Sequence, residues 1–210
     1  MTDLTLRQQE GLSRIKYAGQ AYVIGVDEVG LGAWAGPVYV AAVAMPRAWS
    51  NPFVKDSKQM SALARSAAVP MILKDARTHA IVSAESDVID RFGIKATLES
   101  LTIQAITICL NACSDALVVT DGDVGPKIAD LVFPKADALV PAVSAASVLA
   151  KTTRDRVMRE LDGKYPGYGF YRHVGYGTSA HIEAIGRLGV CPIHRRSYAP
   201  IKRIVENDVG

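Results

Sequence analysis

Two stretches near the N-terminus, residues 22–29 and 38–45, are rich in β-branched and apolar side chains and flank a Gly-rich segment, residues 30–36. That pattern predicts two strands joined by a tight connection. Residues 58–77 have helical composition with Pro70 as a predicted break, and residues 79–86 read as a third strand. Between residues 94 and 113, apolar side chains recur at Ile94, Leu98, Leu101, Ala105, Ile108 and Ala112, which is near helical spacing. A long central helix follows from this, and its β-branched content implies that burial stabilises it. The run Ala116, Leu117, Val118, Val119 is continuously apolar, as in a strand covered on both faces, and it leads to Asp121, Gly122 and Asp123. A further short strand is expected around residues 137–140, then a helix over 144–161 with Arg154, Asp155, Arg159 and Glu160 facing outward. The Gly- and Tyr-rich residues 162–178 read as loop. Thr178 reads as the N-cap of a helix through Leu188, with Gly189 as its stop.

Composition narrows the class. A chain of 210 residues supports one substantial core, and 49% hydrophobic with 21% charged residues excludes disordered, collagen-like and coiled-coil chains. The longest apolar run, residues 38–45, is far shorter than the roughly 20 residues a membrane helix needs. Asp3, Arg7, Glu10, Arg14 and Lys16 interrupt any hydrophobic stretch of the secretory type, so a cytoplasmic location is expected. Cys109, Cys113 and Cys191 lack zinc-type spacing and read as reduced, mostly buried thiols. Net charge is only +3, but its distribution is uneven: residues 1–150 carry 13 bases against 15 acids, and residues 151–210 carry 11 against 6. This suits an acidic metal site beside a basic surface that grips a polyanion, and it equally suits a solvated basic face.

Asp27, Glu28, Asp121 and Asp137 are the candidate chemistry. They stand at predicted strand ends or just beyond, and strand ends can bring carboxylates from distant sequence to one edge of a sheet. Gathered carboxylates repel, and a shared proton or a divalent cation relieves the repulsion. Oxygen-only donors without nearby His or Cys favour Mg²⁺ or Mn²⁺ over zinc. Asp27 and Glu28 are adjacent and so point to opposite faces of a strand, unless the backbone turns at Gly30 and Gly32. Taken alone, the pair also fits acids that cap a turn.

The ordered motifs resemble one family, the type 2 ribonucleases H (ribonuclease HII). Gly25-Val26-Asp27-Glu28-Val29-Gly30-Leu31-Gly32 with Ala35-Gly36-Pro37-Val38 is similar to its opening motif. Asp56-Ser57-Lys58, Asp121-Gly122, Lys135-Ala136-Asp137-Ala138, Ser144-Ala145-Ala146-Ser147 and Ala150-Lys151 with Arg154-Asp155 follow in order. Tyr165-Pro166-Gly167-Tyr168, His173 with Gly175-Tyr176-Gly177-Thr178, and Pro192-Ile193-His194-Arg195-Arg196-Ser197 complete the set, which covers about residues 21–202. The resemblance implies an α/β ribonuclease H-like fold: a five-stranded mixed sheet flanked by helices, with a helical C-terminal extension. It implies a single domain over residues 1–210, core about 21–162 and basic substrate-binding extension about 163–210, acting as a monomer.

The activity so implied is a metal-dependent endoribonuclease. It hydrolyses the RNA strand of RNA·DNA hybrids and nicks 5′ of single ribonucleotides in duplex DNA, leaving a 3′-hydroxyl and a 5′-phosphate, as ribonucleotide excision repair requires. Asp27, Glu28, Asp121 and Asp137 become the catalytic ligands of Mg²⁺ or Mn²⁺, with Asp155 as the rival fourth carboxylate. Gly30, Leu31 and Gly32 match the turn whose backbone reads the 2′-hydroxyl, and Tyr176 matches a tyrosine that stacks on the neighbouring sugar; a loop tyrosine packed on the domain is its plain alternative. Lys58, Lys151 and Arg154 resemble positions that contact phosphate or brace the site, and they also fit a solvated basic face. His173 and His194 fall in family motifs without metal-type spacing and read as structural or phosphate-facing, while His79, His181 and Trp49 read as structural.

Leu31 is the main departure, because it replaces an arginine and cannot supply a guanidinium's charge or hydrogen bonds. Cleavage is expected to survive with weakened or altered junction preference. Ala33-Trp34 departs as well, and a shifted loop is expected there. A hybrid-binding chain with weakened or lost cleavage is the alternative that Leu31 prompts, and another metal nuclease or phosphotransferase on the same fold is a third. With no Ser-His or Cys-His arrangement evident in the sequence, metal-bound water is the expected nucleophile.

Overall fold

The computed structural model describes residues 4–207; Asp3 lies outside them. The elements in order are α1 (Leu6–Lys16), β1 (Tyr22–Val29), β2 (Val38–Pro46), a 3₁₀ turn (Ser57–Gln59), α2 (Ala62–Asp75), β3 (Thr78–Ala84), α3 (Ser86–Phe92) and α4 (Ile94–Ala112). They continue with β4 (Ala116–Asp121), β5 (Leu131–Phe133), α5 (Ala136–Leu139), α6 (Pro141–Lys164), α7 (Phe170–His173), α8 (Ser179–Leu188) and α9 (Ala199–Asn207). The five strands form one mixed sheet in the order β3-β2-β1-β4-β5, flanked by helices. β1 and β4 pair in parallel, Tyr22 opposite Ala116 through Val26 opposite Thr120, and β4 pairs in parallel with β5. Continued by one residue, that register sets Asp27 level with Asp121 at the C-terminal ends of neighbouring strands. Residues level with each other across a ladder point to the same face of the sheet, so these two acids also point the same way.

Several elements depart from the sequence expectation. Pro70 does not break α2: it sits inside the helix at an exposed position, as does Ser66, whose carbonyl it leaves without its helical donor. No strand forms around residues 137–140. β5 lies earlier, and Lys135 in the left-handed conformation (φ 62°) turns the chain into the single helical turn of α5 that carries Asp137. In α4 the buried stripe runs through Leu101, Ala105, Ile106 and Cys109, while Ile108 and Ala112 face solvent, because a 3.6-residue repeat beyond Ala105 can be continued by either neighbour. α6 is longer than expected at both ends, and Arg154 on it is fully buried rather than outward. α7 interrupts the segment read as loop, whereas α8 runs from its Thr178 cap to Leu188 as predicted.

The chain packs as two compact units interleaved in sequence: Met1–Glu28, Val40–Val82 and Glu99–Thr152 make the first, and Val29–Tyr39, Ser83–Leu98 and Thr153–Gly210 the second. In the first, residues 40–45 of β2 are buried almost without break, as expected of a strand covered on both faces. α6 meets β1 at Gly25, where a methyl group would lie 2.1 Å from the Ala142 carbonyl carbon and 2.3 Å from the Val143 nitrogen. Only glycine lets the two main chains approach this closely. In the second unit, Ala35, Met158, Tyr168, Phe170, Ala184, Ile185, Cys191, Ile193 and Ile201 form a separate apolar cluster. The three cysteines are free and buried, and Trp49 Nε1 donates to Asp75 at 3.0 Å. Among the described residues no helix is long and apolar enough to cross a membrane.

Gly25→Ala is therefore expected to lower stability by about 3 kcal/mol or to prevent folding, since backbone rather than a flexible side chain blocks the added methyl. Gly163→Ala in α6 adds a methyl to open space and is expected to be neutral or to stabilise by up to about 1 kcal/mol. Urea unfolding of both variants measures the contrast, and equal effects would show that the β1–α6 approach is not what Gly25 serves.

Candidate active site

Asp27 lies on β1 and is buried, its Oδ1 accepting the Glu28 amide at 2.8 Å. Asp121 ends β4, and its Oδ1 accepts the Ala136 amide at 2.7 Å, which ties the strand end to the first turn of α5. That turn buries Asp137, whose carbonyl accepts from the Ser144 hydroxyl at 2.6 Å and whose Oδ2 lies 3.0 Å from Lys58 Nζ. Lys58 reaches in from the 3₁₀ turn, its amide held by Asp56 Oδ1 at 2.9 Å and its side chain mostly exposed. Behind the carboxylates, the buried Ser57 and Ser147 hydroxyls share a hydrogen bond of 2.8 Å.

Charge couples these groups. Burial pushes the Asp27 carboxyl up to about 8, and the charges of Glu28 and Asp121 push the same way, against the Ser147 hydroxyl and the Glu28 amide, which hold it down. Glu28 is raised by burial and by the charges of Asp121 and Asp137, with Lys58 opposing. Asp121 is raised by burial and by Asp137. The Lys58 ammonium is held above its ordinary range by its bond to Asp137. All four predicted carboxylates thus feel one another within the first unit, in spite of the opposite faces that adjacency gives Asp27 and Glu28. Among the described residues, no three acids, histidines or cysteines already stand so that they enclose a metal ion. The donor chemistry nonetheless fits a hard dication: oxygen atoms only, mutually repelling, with one ammonium already laid against Asp137. Lys151 is half-buried on α6. Asp155 lies in the second unit, where its charge acts on Arg154.

The second unit carries the remaining predicted residues. Gly30 has a positive φ of 92°, and a methyl there would meet the Arg154 guanidinium at 2.3 Å. Leu31 is 43% exposed, and a methyl on Gly32 would stand 4.0 Å from the Tyr176 ring. Arg154 is not a surface base. Its Nε donates to the Pro37 carbonyl at 2.8 Å, Nη1 to Val174 at 2.8 Å and Nη2 to Ala35 at 3.2 Å, and its guanidinium sits 5.6 Å from the Tyr176 ring centroid. Burial lowers its pKa to about 10, so it remains cationic. Trp34 packs where a methyl on Gly177 would lie, 2.2 Å from the indole, so this departure from the family pattern braces the Tyr176 loop.

A buried chain of imidazoles also stands behind Tyr176, and sequence reasoning missed it because His173, His181 and His194 lack any regular spacing. The Cys191 amide donates to His194 Nδ1 at 2.9 Å, which places the His194 proton on Nε2, facing His181 Nε2 at 3.1 Å. His181 then donates from Nδ1 to the Tyr176 carbonyl at 3.0 Å. Burial pushes both rings down to about 4, consistent with neutral links. Cys191 Sγ lies 3.2 Å from His194 Nδ1, a Cys-His pair that the sequence reading did not anticipate. The thiol is buried with its pKa raised by that burial, so the pair does not present a thiolate nucleophile.

Comparison with known proteins follows the same lines. The ribonuclease HII family profile matches residues 24–201. A ribonuclease HII of Halorhodospira halophila is 43% identical over 188 residues, covering 87% of this chain and 94% of its own. The ribonuclease H2 of Pyrococcus horikoshii OT3 superposes with a TM-score of 0.70 at 26% identity, covering 89% of this chain and 98% of its own. Bst-RNase HIII in complex with Mn²⁺ shares the fold, with a TM-score of 0.69 at 21% identity over 98% of this chain and 76% of its own. With the family's profile spanning both the carboxylate-bearing strands and the Tyr176 loop, the chain belongs to the ribonuclease HII family and is an enzyme, a ribonuclease H.

Proposed function

We propose that this ribonuclease H cuts the RNA strand of RNA·DNA hybrids and also nicks 5′ of single ribonucleotides in duplex DNA, with Mg²⁺ or Mn²⁺ bound by Asp27, Glu28, Asp121 and Asp137. The observation that carries the reading is the mutual coupling of these four carboxyls at the ends of β1 and β4 and on α5. The Mn²⁺ complex of the structurally similar ribonuclease HIII supports the choice of ion. A divalent ion held there supplies a water activated near neutral pH and positive charge for the leaving 3′ oxygen. Main-chain amides hold Asp121 and Asp27 through Oδ1, so both side chains are fixed in place where an ion would be bound. Lys58 orients the Asp137 carboxylate through its 3.0 Å contact with Oδ2, and the Ser144 hydroxyl fixes the turn that carries it. Gly30, Leu31 and Gly32 offer peptide groups to the ribose, and the Tyr176 ring offers a flat face to a sugar. Lys151 and the basic residues of the C-terminal segment meet phosphates.

The direct test is incubation with a DNA duplex containing one ribonucleotide and with a long hybrid, each with Mg²⁺ or Mn²⁺. Both substrates are expected to be cut, leaving a 3′-hydroxyl and a 5′-phosphate; cleavage of neither overturns the reading. Asp137→Asn is expected to lower kcat at least ~100-fold, with Asp155→Asn within a few fold of the wild type. The reverse order would make Asp155 the fourth ligand.

Burying these carboxyl groups beside one another also has a stability signature. The Asp27 carboxyl titrates near 3.8 when unfolded and at about 8 when folded. Its ionisation therefore costs stability increasingly as pH rises between those values. Asp27→Asn is expected to melt above the wild type at pH 8 in the presence of EDTA, with the gap closing toward pH 4. Added Mg²⁺ is expected to raise the melting temperature of the wild type more than that of the variant. A gap independent of pH, measured by differential scanning fluorimetry, would show that burial and its neighbours' charge do not raise the Asp27 carboxyl in the folded protein.

A further inference from the structure

The main-chain carbonyl of Leu31 accepts two hydrogen bonds at once. Arg195 Nη1 donates to it at 3.1 Å and the Tyr198 hydroxyl at 2.6 Å, while the same Nη1 also lies 2.9 Å from the Tyr198 oxygen. Arg195 is fully buried and spends Nε and Nη2 on the Gly36 carbonyl at 3.0 and 2.9 Å, so one guanidinium bridges the two ends of the segment from Leu31 to Gly36. The Arg195 amide donates to the Trp34 carbonyl at 2.8 Å, and Ala33 closes the turn onto the Gly30 carbonyl at 3.3 Å. The clamp is anchored in turn by Asp90 of α3, whose carboxylate accepts the Arg196 amide at 2.8 Å, the Ser197 amide at 2.9 Å and the Ser197 hydroxyl at 2.6 Å. Burying a guanidinium is costly unless its donors are all engaged, so its use on carbonyls of this one loop marks a conformation that the fold spends stability to fix.

We infer that Arg195 and Tyr198, anchored by Asp90, are positioning residues that hold the peptide groups of Gly30, Leu31 and Gly32 in the arrangement that recognises a ribose 2′-hydroxyl. This rests on the function proposed above. The Leu31 side chain is 43% exposed and takes no part in the clamp, so the arginine it replaces is not needed to hold the main chain in place. A fixed carbonyl at residue 31 sets the plane of the 31–32 peptide, and that plane decides where the Gly32 amide points. Discrimination of ribose from deoxyribose then resides in geometry set from behind by the Arg195–Tyr198 segment.

Tyr198→Phe removes one donor to Leu31 and one acceptor from Arg195 while keeping the ring, so it is the informative variant where Arg195→Lys fails to fold. The wild type and Tyr198→Phe are compared on the single-ribonucleotide duplex with Mn²⁺, with an all-DNA duplex of the same sequence as competitive inhibitor. Peptide-level hydrogen exchange over residues 30–34 is followed in parallel, without metal or nucleic acid. For the variant, KM is expected to rise five- to tenfold with a smaller change in kcat, and the Ki of the all-DNA duplex is expected to stay within twofold. Exchange across the turn is expected to accelerate at least fivefold with little change elsewhere. If the wild type cuts neither this duplex nor a long hybrid, the proposed function falls and the clamp's role with it. If the wild type cuts and the variant leaves either KM or the turn's exchange unchanged, the clamp alone is overturned; an equal rise in Ki would make Tyr198 a general stabiliser and overturn it too.

Discussion

Like charges repel most strongly where water is scarce, and the first unit of this protein gathers four carboxyl groups on three elements around the ends of two parallel strands. Desolvation and mutual repulsion lift the pKa of Asp27, Glu28 and Asp121 together, and Lys58 supplies only one compensating charge. The fold holds these groups in place by means that do not neutralise them: main-chain amides on Asp27 and Asp121, and a serine hydroxyl on the turn that carries Asp137. A sheet edge that stores unfavourable charge in this way is prepared for a cation, and a phosphodiester hydrolase of the ribonuclease H kind has use for one.

The second unit solves a different problem with the opposite charge. Arg154 and Arg195 are both fully buried, and both direct donors at main-chain carbonyls of the segment between Leu31 and Pro37, Arg154 reaching the Val174 carbonyl near Tyr176 as well. Glycines make this possible: a side chain at Gly30 would strike Arg154, and one at Gly36 would strike Met158 at 2.4 Å. Behind Tyr176, neutral histidines relay hydrogen bonds to its carbonyl. The backbone from Leu31 to Pro37 is thus held by buried arginines and Tyr198 rather than by the side chain of Leu31, which is exposed.

Much of this was legible in the sequence, and the limits are physical. The strands carrying Asp27 and Asp121, the α8 cap at Thr178 and the order of the family motifs follow from local pattern, because strand propensity, turn residues and capping act over a few residues. Asp137, expected beside a short strand, lies instead on the helical turn α5, since a left-handed lysine at 135 is invisible to propensity. Pro70 within α2 and the true stripe of α4 depend on what packs against each helix, which local sequence does not record. Arg154 read as a surface base because arginine is rarely buried, and only tertiary structure shows carbonyls waiting for it. Tyr198 stands just after the motif that ends at Ser197 and carries no signal of its own, because a hydroxyl aimed at a carbonyl 167 residues away leaves no local signature.

Whether the four carboxyls hold one cation can be read from anomalous diffraction of crystals soaked in Mn²⁺. Mn²⁺ density is expected among the oxygens of Asp27, Glu28, Asp121 and Asp137, with the side chains drawn together around it. Saturating Mn²⁺ that leaves this strand edge empty, or that settles at Asp155 instead, would mean that these carboxyls do not form one cation site.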